Sequence, residues 1–286
     1  MPEGPEVHRE ADRIRRALVG RRAEGVWFAS PGLAPMGPRL AGREVLEVRA
    51  RGKALLIDFA GRGQDARRDR RSIYSHNLLY GRWYVRRRGQ APKTRRSLRL
   101  AIDNAEHSAL LYSASEIEVL TPFQLREHAY LSAIGPDPLG EPVTTDALQR
   151  RLDDARFARR RLAGLLLDQA FVAGIGNYLR SEILFVAGLH PLQRPTDLSP
   201  DQRSILCRAV LDVTRRAYRS GGVTNAPERA RSLRRAGAGR ADVRHYVFSR
   251  AGRECWHCGS RILRETAAGR RLYRCPHCQP VPSPRA

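Results

Sequence analysis

Four cysteines near the end of the chain form two knuckles, Cys255-x-x-Cys258 and Cys275-x-x-Cys278, in the pattern C-x2-C-x16-C-x2-C. Knuckles joined by a hairpin-length segment set four thiolates tetrahedrally around zinc. Four thiolates leave no open coordination position, so one structural zinc is expected to shape a hairpin and not to perform hydrolysis. Disulfides are the alternative, but in a reducing cytosol the doubled spacing favours metal. His257 and His277 lie inside the knuckles, and Arg261, Arg264, Arg270 and Arg271 between them make a basic finger aimed at phosphate. The other chemical signal opens the chain: Pro2, Glu3, Gly4, Pro5, Glu6. Methionine before proline is normally excised, which exposes the secondary amine of Pro2. An α-amine titrates at about 7.7–8.0, so a neutral nucleophilic fraction exists near neutrality. Such an amine can form a Schiff base with a sugar C1′, and Glu3 beside it can move protons. By composition alone these residues merely begin a helix, with proline at its first position and acids in its first turn.

The background charge narrows the partner. The 286 residues carry 52 Lys+Arg against 29 Asp+Glu, a net +23, while 42% hydrophobic residues still suffice for a core. That combination describes a folded protein bound to a polyanion, of which nucleic acid is the commonest. Among the cations only Lys53 and Lys93 are lysines, so a lysine within a motif needs a reason. No window approaches the roughly twenty apolar residues of a membrane span, and the start lacks the apolar stretch of a signal peptide. A soluble, cytoplasmic protein is expected. Cys207 stands alone in a helical pattern.

Stepping outward from these residues, Val7, Ala11, Ile14 and Leu18 give an amphipathic helix over residues 5–18. Alternation and β-branched or aromatic enrichment predict strands within 45–60, 72–88, 97–104 and 108–120, an all-β domain behind that helix. The polar, Arg-dense run 61–72 reads as an exposed hairpin loop. Prolines and glycines at 134–145 mark a linker ending in a helix-cap threonine. Helical periods follow at 144–152, 161–171, 177–189 and 199–220, with Gly174-Ile175-Gly176 turning directly before Asn177. Residues 222–244 show no periodicity and predict a mobile basic loop.

Six segments carry a resemblance: the opening PEGPEV, RGKALL (51–56), LYSASEIEVL (111–120), IGPD (134–137), GLLLDQAFVAGIGNYLRSEIL (164–184) and the terminal cysteines. In this order and across almost the whole chain they resemble the Fpg/Nei family of DNA glycosylases and AP lyases. PEGPE and YSHN-x-LYG are similar to its endonuclease VIII branch; the formamidopyrimidine branch usually opens PELPE. The resemblance implies an α+β multidomain fold: an N-terminal helix plus β-sandwich, then a helix–two-turn–helix module with a zinc-finger β-hairpin, and DNA in the cleft between. Domains are expected at 1–134 (catalytic), 135–145 (linker), 146–250 (helix–two-turn–helix with basic loop) and 251–280 (zinc finger), with a tail at 281–286.

Roles carry over residue by residue. Pro2 resembles the Schiff-base nucleophile, Glu3 the proton donor in base release and ring opening, and Glu6 a supporting acid. Lys53 matches the β-hairpin lysine near the damaged nucleotide. Asn177 matches a phosphate-binding residue, consistent with the free N–H donors and dipole of a helix N-terminus. Arg180, one turn on, is expected to orient the catalytic acid and contact DNA, and Arg270 to bind phosphate and assist δ-elimination. Leu78, Leu79 and Tyr80 form the wedge that fills the space left by an everted nucleotide. Leu78 stands where this branch usually has glutamine, and Ala133 where the family commonly has arginine; the run 61–72 has no counterpart. The implied function is bifunctional removal of oxidised pyrimidines from damaged double-stranded DNA with β,δ-elimination by a monomer. Oxidised-purine excision, or non-catalytic binding through the zinc finger, are the alternatives.

Overall fold

The apolar stripe read at the N-terminus forms one face of α1 (Gly4–Leu18): Val7, Ala11, Ile14 and Leu18 are each at most 1% exposed. The computed structural model describes residues 2–282; Met1 and residues 283–286 of the expected tail lie outside the described residues. By contacts the chain divides into residues 6–133 with Pro2, and the chain from Ile134 onward with Glu3–Pro5.

The first unit is two antiparallel four-stranded sheets. Its elements are β1 (Gly25–Phe28), α2 (Met36–Leu40), β2 (Val45–Arg51), β3 (Ala54–Phe59), β4 (Arg71–His76), β5 (Arg82–Arg87), β6 (Leu98–Asp103), β7 (His107–Tyr112), β8 (Glu116–Leu120), α3 (Pro122–Glu127) and α4 (Ala129–Ala133). The sheets run β1-β6-β7-β5 and β2-β3-β4-β8. Period-two alternation aims Leu55, Ile57 and Phe59 at one core, shared with α1, Ile73, Trp83, Leu100 and Leu111. The opposite face of β3 presents Ala54 and Leu56 to Tyr74, Leu120 and the residues Leu125, Tyr130 and Leu131 of α3 and α4. The segment 45–60 is therefore a hairpin turning at Arg51-Gly52-Lys53, and 72–88 is two strands separated by residues 77–81. The Arg-dense run 61–72 is mostly the exposed connection from β3 to β4, ending in the first residues of β4; Asp69 ties it to the buried Arg43.

The second unit holds α5 (Thr145–Asp153), α6 (Ala155–Ala158), α7 (Leu162–Leu165), α8 (Asn177–Val186), α9 (Pro200–Ser220), α10 (Pro227–Arg235), α11 (Arg240–Arg244), β9 (Leu263–Ala267) and β10 (Arg270–Arg274). Ser199 caps α9 in a capping box with Gln202. Leu148, Leu152, Leu179, Ile183, Leu206 and Val210 meet in one core, which Leu272 of the β9–β10 hairpin joins. Residues 134–145 pack on this unit: Gly135 N–H donates to Gln169 O at 2.8 Å, and Asp137 and Val143 are buried.

Two sequence expectations are corrected. Residues 161–171 are helical only at Leu162–Leu165, because Asp168 accepts the Ala170 N–H and the chain continues in turns. Gln169 then bridges Leu167 O, Ile175 O and Gly174 N–H, fixing the turns that lead into α8. Residues 222–244 are not an unstructured loop but contain α10 and α11. Asn225 Nδ2 donates to the carbonyls of Asp242, Val243 and His245, and Val223, Ala230 and Val243 form a small core beneath.

Candidate active site

In the second unit, the sequence-distant residues Glu3, Asn177, Arg180 and Arg270 come together. Glu3 is 2% exposed. Its carboxylate accepts from Gly176 N–H (2.8 Å), Tyr178 N–H (2.8 Å) and Leu179 N–H (3.2 Å), and Gly4 N–H donates to Gly174 O at 2.8 Å. An anion at the positive end of α8, satisfying otherwise orphaned donors, is what helix electrostatics favours. Gly176 is required here, because a Cβ would fall 2.4 Å from Glu3 Cδ. The free helix-terminal donors expected for phosphate are thus corrected: three of them serve Glu3. Asn177 Oδ1 accepts from Arg180 Nη2 at 2.7 Å.

Arg180 is fully buried, and its guanidinium also donates to Ala163 O and Ala267 O (3.0 Å each) and Arg271 O (3.1 Å). Burial first, then the Arg270 guanidinium, push its pKa down to about 10, with Glu3 opposing. The expectation of direct DNA contact is corrected by this burial: Arg180 bolts α8 to the finger hairpin and orients Asn177. Arg270, at the start of β10, is exposed.

The four knuckle cysteines are free thiols whose Sγ atoms all lie within 4.8 Å of one another. Backbone N–H groups of His257 and Cys278 point at the Cys255 and Cys275 sulfurs, each at 3.4 Å. Ser260, through its hydroxyl and N–H, holds the Cys258 thiol down to about 6. Clustered, N–H-solvated sulfurs are a donor set for a soft or borderline metal ion, so these residues are placed to hold one. Buried Gln279 braces the second knuckle by accepting from Cys275 N–H and donating to Leu189 O. Sequence reasoning missed Glu182, fully buried on α8, which accepts from Tyr246, Val247 and Phe248 N–H groups and so fixes the entry to the finger. An acid inside an otherwise apolar helix stretch was its only signal. Cys207 is core, its thiol pushed up to about 12 by burial.

In the first unit, Lys53 sits at the β2–β3 turn, only 9% exposed, and its backbone N–H donates to Tyr130 Oη at 3.0 Å. Tyr130 packs edge-on to His76, whose ring centroid is 5.4 Å away. Burial, and in part the Lys53 ammonium, hold His76 below the usual imidazole range, with Glu116 opposing. His76 Nδ1 in turn accepts Leu78 N–H at 3.2 Å. Leu78, Leu79 and Tyr80 then protrude, 41%, 60% and 67% exposed. Large apolar side chains so displayed mark a contact surface. Glu6 lies in the first turn of α1, half-buried, and Ala133 is exposed at the end of α4.

Residues 1–114 match the formamidopyrimidine-DNA glycosylase N-terminal domain, and residues 134–227 its H2TH domain. Endonuclease 8 of Pectobacterium carotovorum subsp. carotovorum is 42% identical over 279 residues, covering 98% of this chain and all of the relative. Endonuclease 8 of Escherichia coli K12 gives the same identity and coverage. The chain belongs to the Fpg/Nei family, on its endonuclease VIII branch. Fpg/Nei members are bifunctional DNA glycosylases and AP lyases of base excision repair, and this chain is one. The Fpg/Nei fold is seen directly in two structures, each covering 98% of this chain and all of the other. A MutM bound to DNA containing carbocyclic 8-oxo-G superposes with a TM-score of 0.77 at 22% identity. Lactococcus lactis Fpg bound to DNA containing an abasic site gives 0.75 at 20%. Among the described residues no helix is long and apolar enough to cross a membrane.

Proposed function

We propose that this glycosylase removes oxidised pyrimidines from duplex DNA through a Schiff base on Pro2. The observation that supports it is the anchoring of the residues beside the amine. A chain terminus ordinarily frays, and a terminal amine gains as a nucleophile only when its position is fixed. The three bonds to Glu3 and the Gly4–Gly174 bond supply that fixation one residue from Pro2.

Pro2 nitrogen displaces the base at C1′, its own proton leaving with the base; the C1′–O4′ bond then breaks, O4′ takes a proton, and the nitrogen lone pair completes a cationic imine on the opened sugar. The imine acidifies the C2′ proton, whose removal expels the 3′ phosphate, and δ-elimination then expels the 5′ phosphate. Glu3 serves proton transfer in these steps, with Glu6 in support and the Lys53 ammonium a donor near the damaged nucleotide. Asn177 Nδ2 and Arg270 take phosphate oxygens, Arg270 also assisting δ-elimination, while Arg180 holds both in register. Leu78, Leu79 and Tyr80 fill the space left by the everted nucleotide; extrusion costs a few kcal/mol and least at damaged pairs. One zinc ion on Cys255, Cys258, Cys275 and Cys278 supplies folding energy to the finger. The domain division at 1–134, 135–145, 146–250 and 251–280, a monomeric state and a cytoplasmic location complete the reading. Excision assays on duplexes with oxidised pyrimidine or oxidised purine test it. Faster release of the pyrimidine is expected, and preferential release of the purine overturns the substrate assignment.

A further inference from the structure

The turn carrying Leu78, Leu79 and Tyr80 is held at its root by the asparagine of YSHN-x-LYG, which the roles above leave unused. Asn77, 3% exposed, closes the turn by accepting Gly81 N–H at 2.7 Å. The fit is tight: a Cβ on Gly81 would lie 2.6 Å from Asn77 Cα, and Leu78 adopts φ of 45°. Left-handed φ at a branched residue persists only where the surroundings hold it. The Asn77 side chain provides that hold by donating from Nδ2 to Glu10 Oε2 at 2.7 Å. Glu10 is 7% exposed and lies on α1, the helix that begins two residues after Pro2. Asn77 Oδ1 is buried with no partner, so the bond to Glu10 carries the hold of this side chain.

We propose that Glu10 is the positioning residue of the wedge turn, coupling it through Asn77 to the helix that carries the N-terminal amine. The role rests on the wedge reading of Leu78–Tyr80. The bond from Asn77 Nδ2 meets a full negative charge when Glu10 is ionised and a neutral oxygen when it is protonated, and the two differ in strength. The groups facing it are Arg13 on α1, Arg82 and the Trp83 N–H on β5, and Asn77 itself. Proton exchange between Glu10 and solvent therefore alters how firmly the turn is held. The Pro2 amine titrates in a neighbouring range, but it serves duplex and single strand alike, so its effect cancels in the ratio of the two.

Borohydride trapping by the full-length protein on abasic DNA, duplex against single-stranded, tests the role, because a single strand has no stack to fill. Glu10→Ala is expected to lower the duplex trapping rate about tenfold, the effect of a displaced positioning element, with single-strand trapping unchanged. Glu10→Gln, which keeps an acceptor for Nδ2 but carries no charge at any pH, is expected to retain duplex trapping and to flatten the change in duplex-to-single-strand ratio between pH 6 and pH 8. Tyr80→Ala with Leu79→Ala serves as the wedge control. If the control leaves duplex trapping unchanged, the wedge reading itself fails. If the control lowers it while Glu10→Ala does not, or Glu10→Ala lowers both substrates equally, the Glu10 role alone is overturned. Should Glu10→Ala not fold, the pH profile of Glu10→Gln decides: a profile parallel to wild type contradicts the proposal.

Discussion

Glu10→Gln exchanges a buried carboxyl for a neutral group of the same shape, and its effect on stability can be worked from the structure. Burial raises the Glu10 pKa from 4.5 to about 7, outweighing the lowering by the Asn77 amide, Arg13, the Trp83 N–H and Arg82. The folded value lies above the unfolded one, so the unfolded chain ionises first. Stability from this group is complete below pH 4.5 and is lost as pH rises to about 7. Each pKa unit is worth about 1.4 kcal/mol, so the full loss is about 3 kcal/mol, most of it between pH 5 and pH 8. Glutamine does not titrate. The stability of Glu10→Gln relative to wild type should therefore rise by about 2 to 3 kcal/mol from pH 5 to pH 8. Guanidinium titrations of both proteins, read by hydrogen exchange of peptides covering β4 and β5, follow this unit by itself. Stabilities of wild type and variant that change in parallel between the two pH values would show that Glu10 does not titrate in this window.

Arg180→Ala strips donors from three carbonyls, that of Ala163 buried, and from Asn177, and should cost about 3 kcal/mol. Hydrogen exchange over residues 263–274 should show the finger hairpin loosened while metal analysis finds the metal content of the four cysteines unchanged. Cys275→Ser, or metal removal by a chelator, should instead unfold the cluster of Tyr246, Ile262 and Tyr273 and weaken DNA binding; unchanged binding after quantitative metal loss contradicts a structural metal. Leu78 cannot hydrogen-bond the base opposite the lesion, so wild type should discriminate weakly among opposite bases and Leu78→Gln should sharpen the preference. Excision rates on four opposite bases check this. Ala133→Arg should steepen the salt dependence of binding by about one phosphate contact.

What was legible in the sequence was local. The knuckle cysteines, the stripe of α1 and the turn before Asn177 declare themselves by spacing over a few residues. Glu3 as the cap of α8 was not readable as geometry, since its donors lie 173 to 176 residues away. Without that contact α8 appeared to offer its donors to phosphate, and Arg180 appeared free to reach DNA. Helix α10 escaped notice because its hydrophobic contribution is only Ala230 and Leu233 among arginines, with order supplied by the distant Asn225. Residues 161–171 looked helical because apolar periodicity cannot register that the Asp168 side chain captures a backbone donor. Glu10 was invisible for a similar reason: in sequence it is one acid on a charged helix, and only the fold buries it against Asn77.

An unblocked Pro2 amine as the nucleophile is tested by borohydride trapping on abasic DNA, which makes only a Schiff base permanent. Protein beginning at Pro2 should form a permanent protein–DNA crosslink. Protein retaining Met1, in which the Pro2 nitrogen is an amide, should bind the same DNA with similar affinity and form none. Equal crosslinking by the two forms would contradict the account.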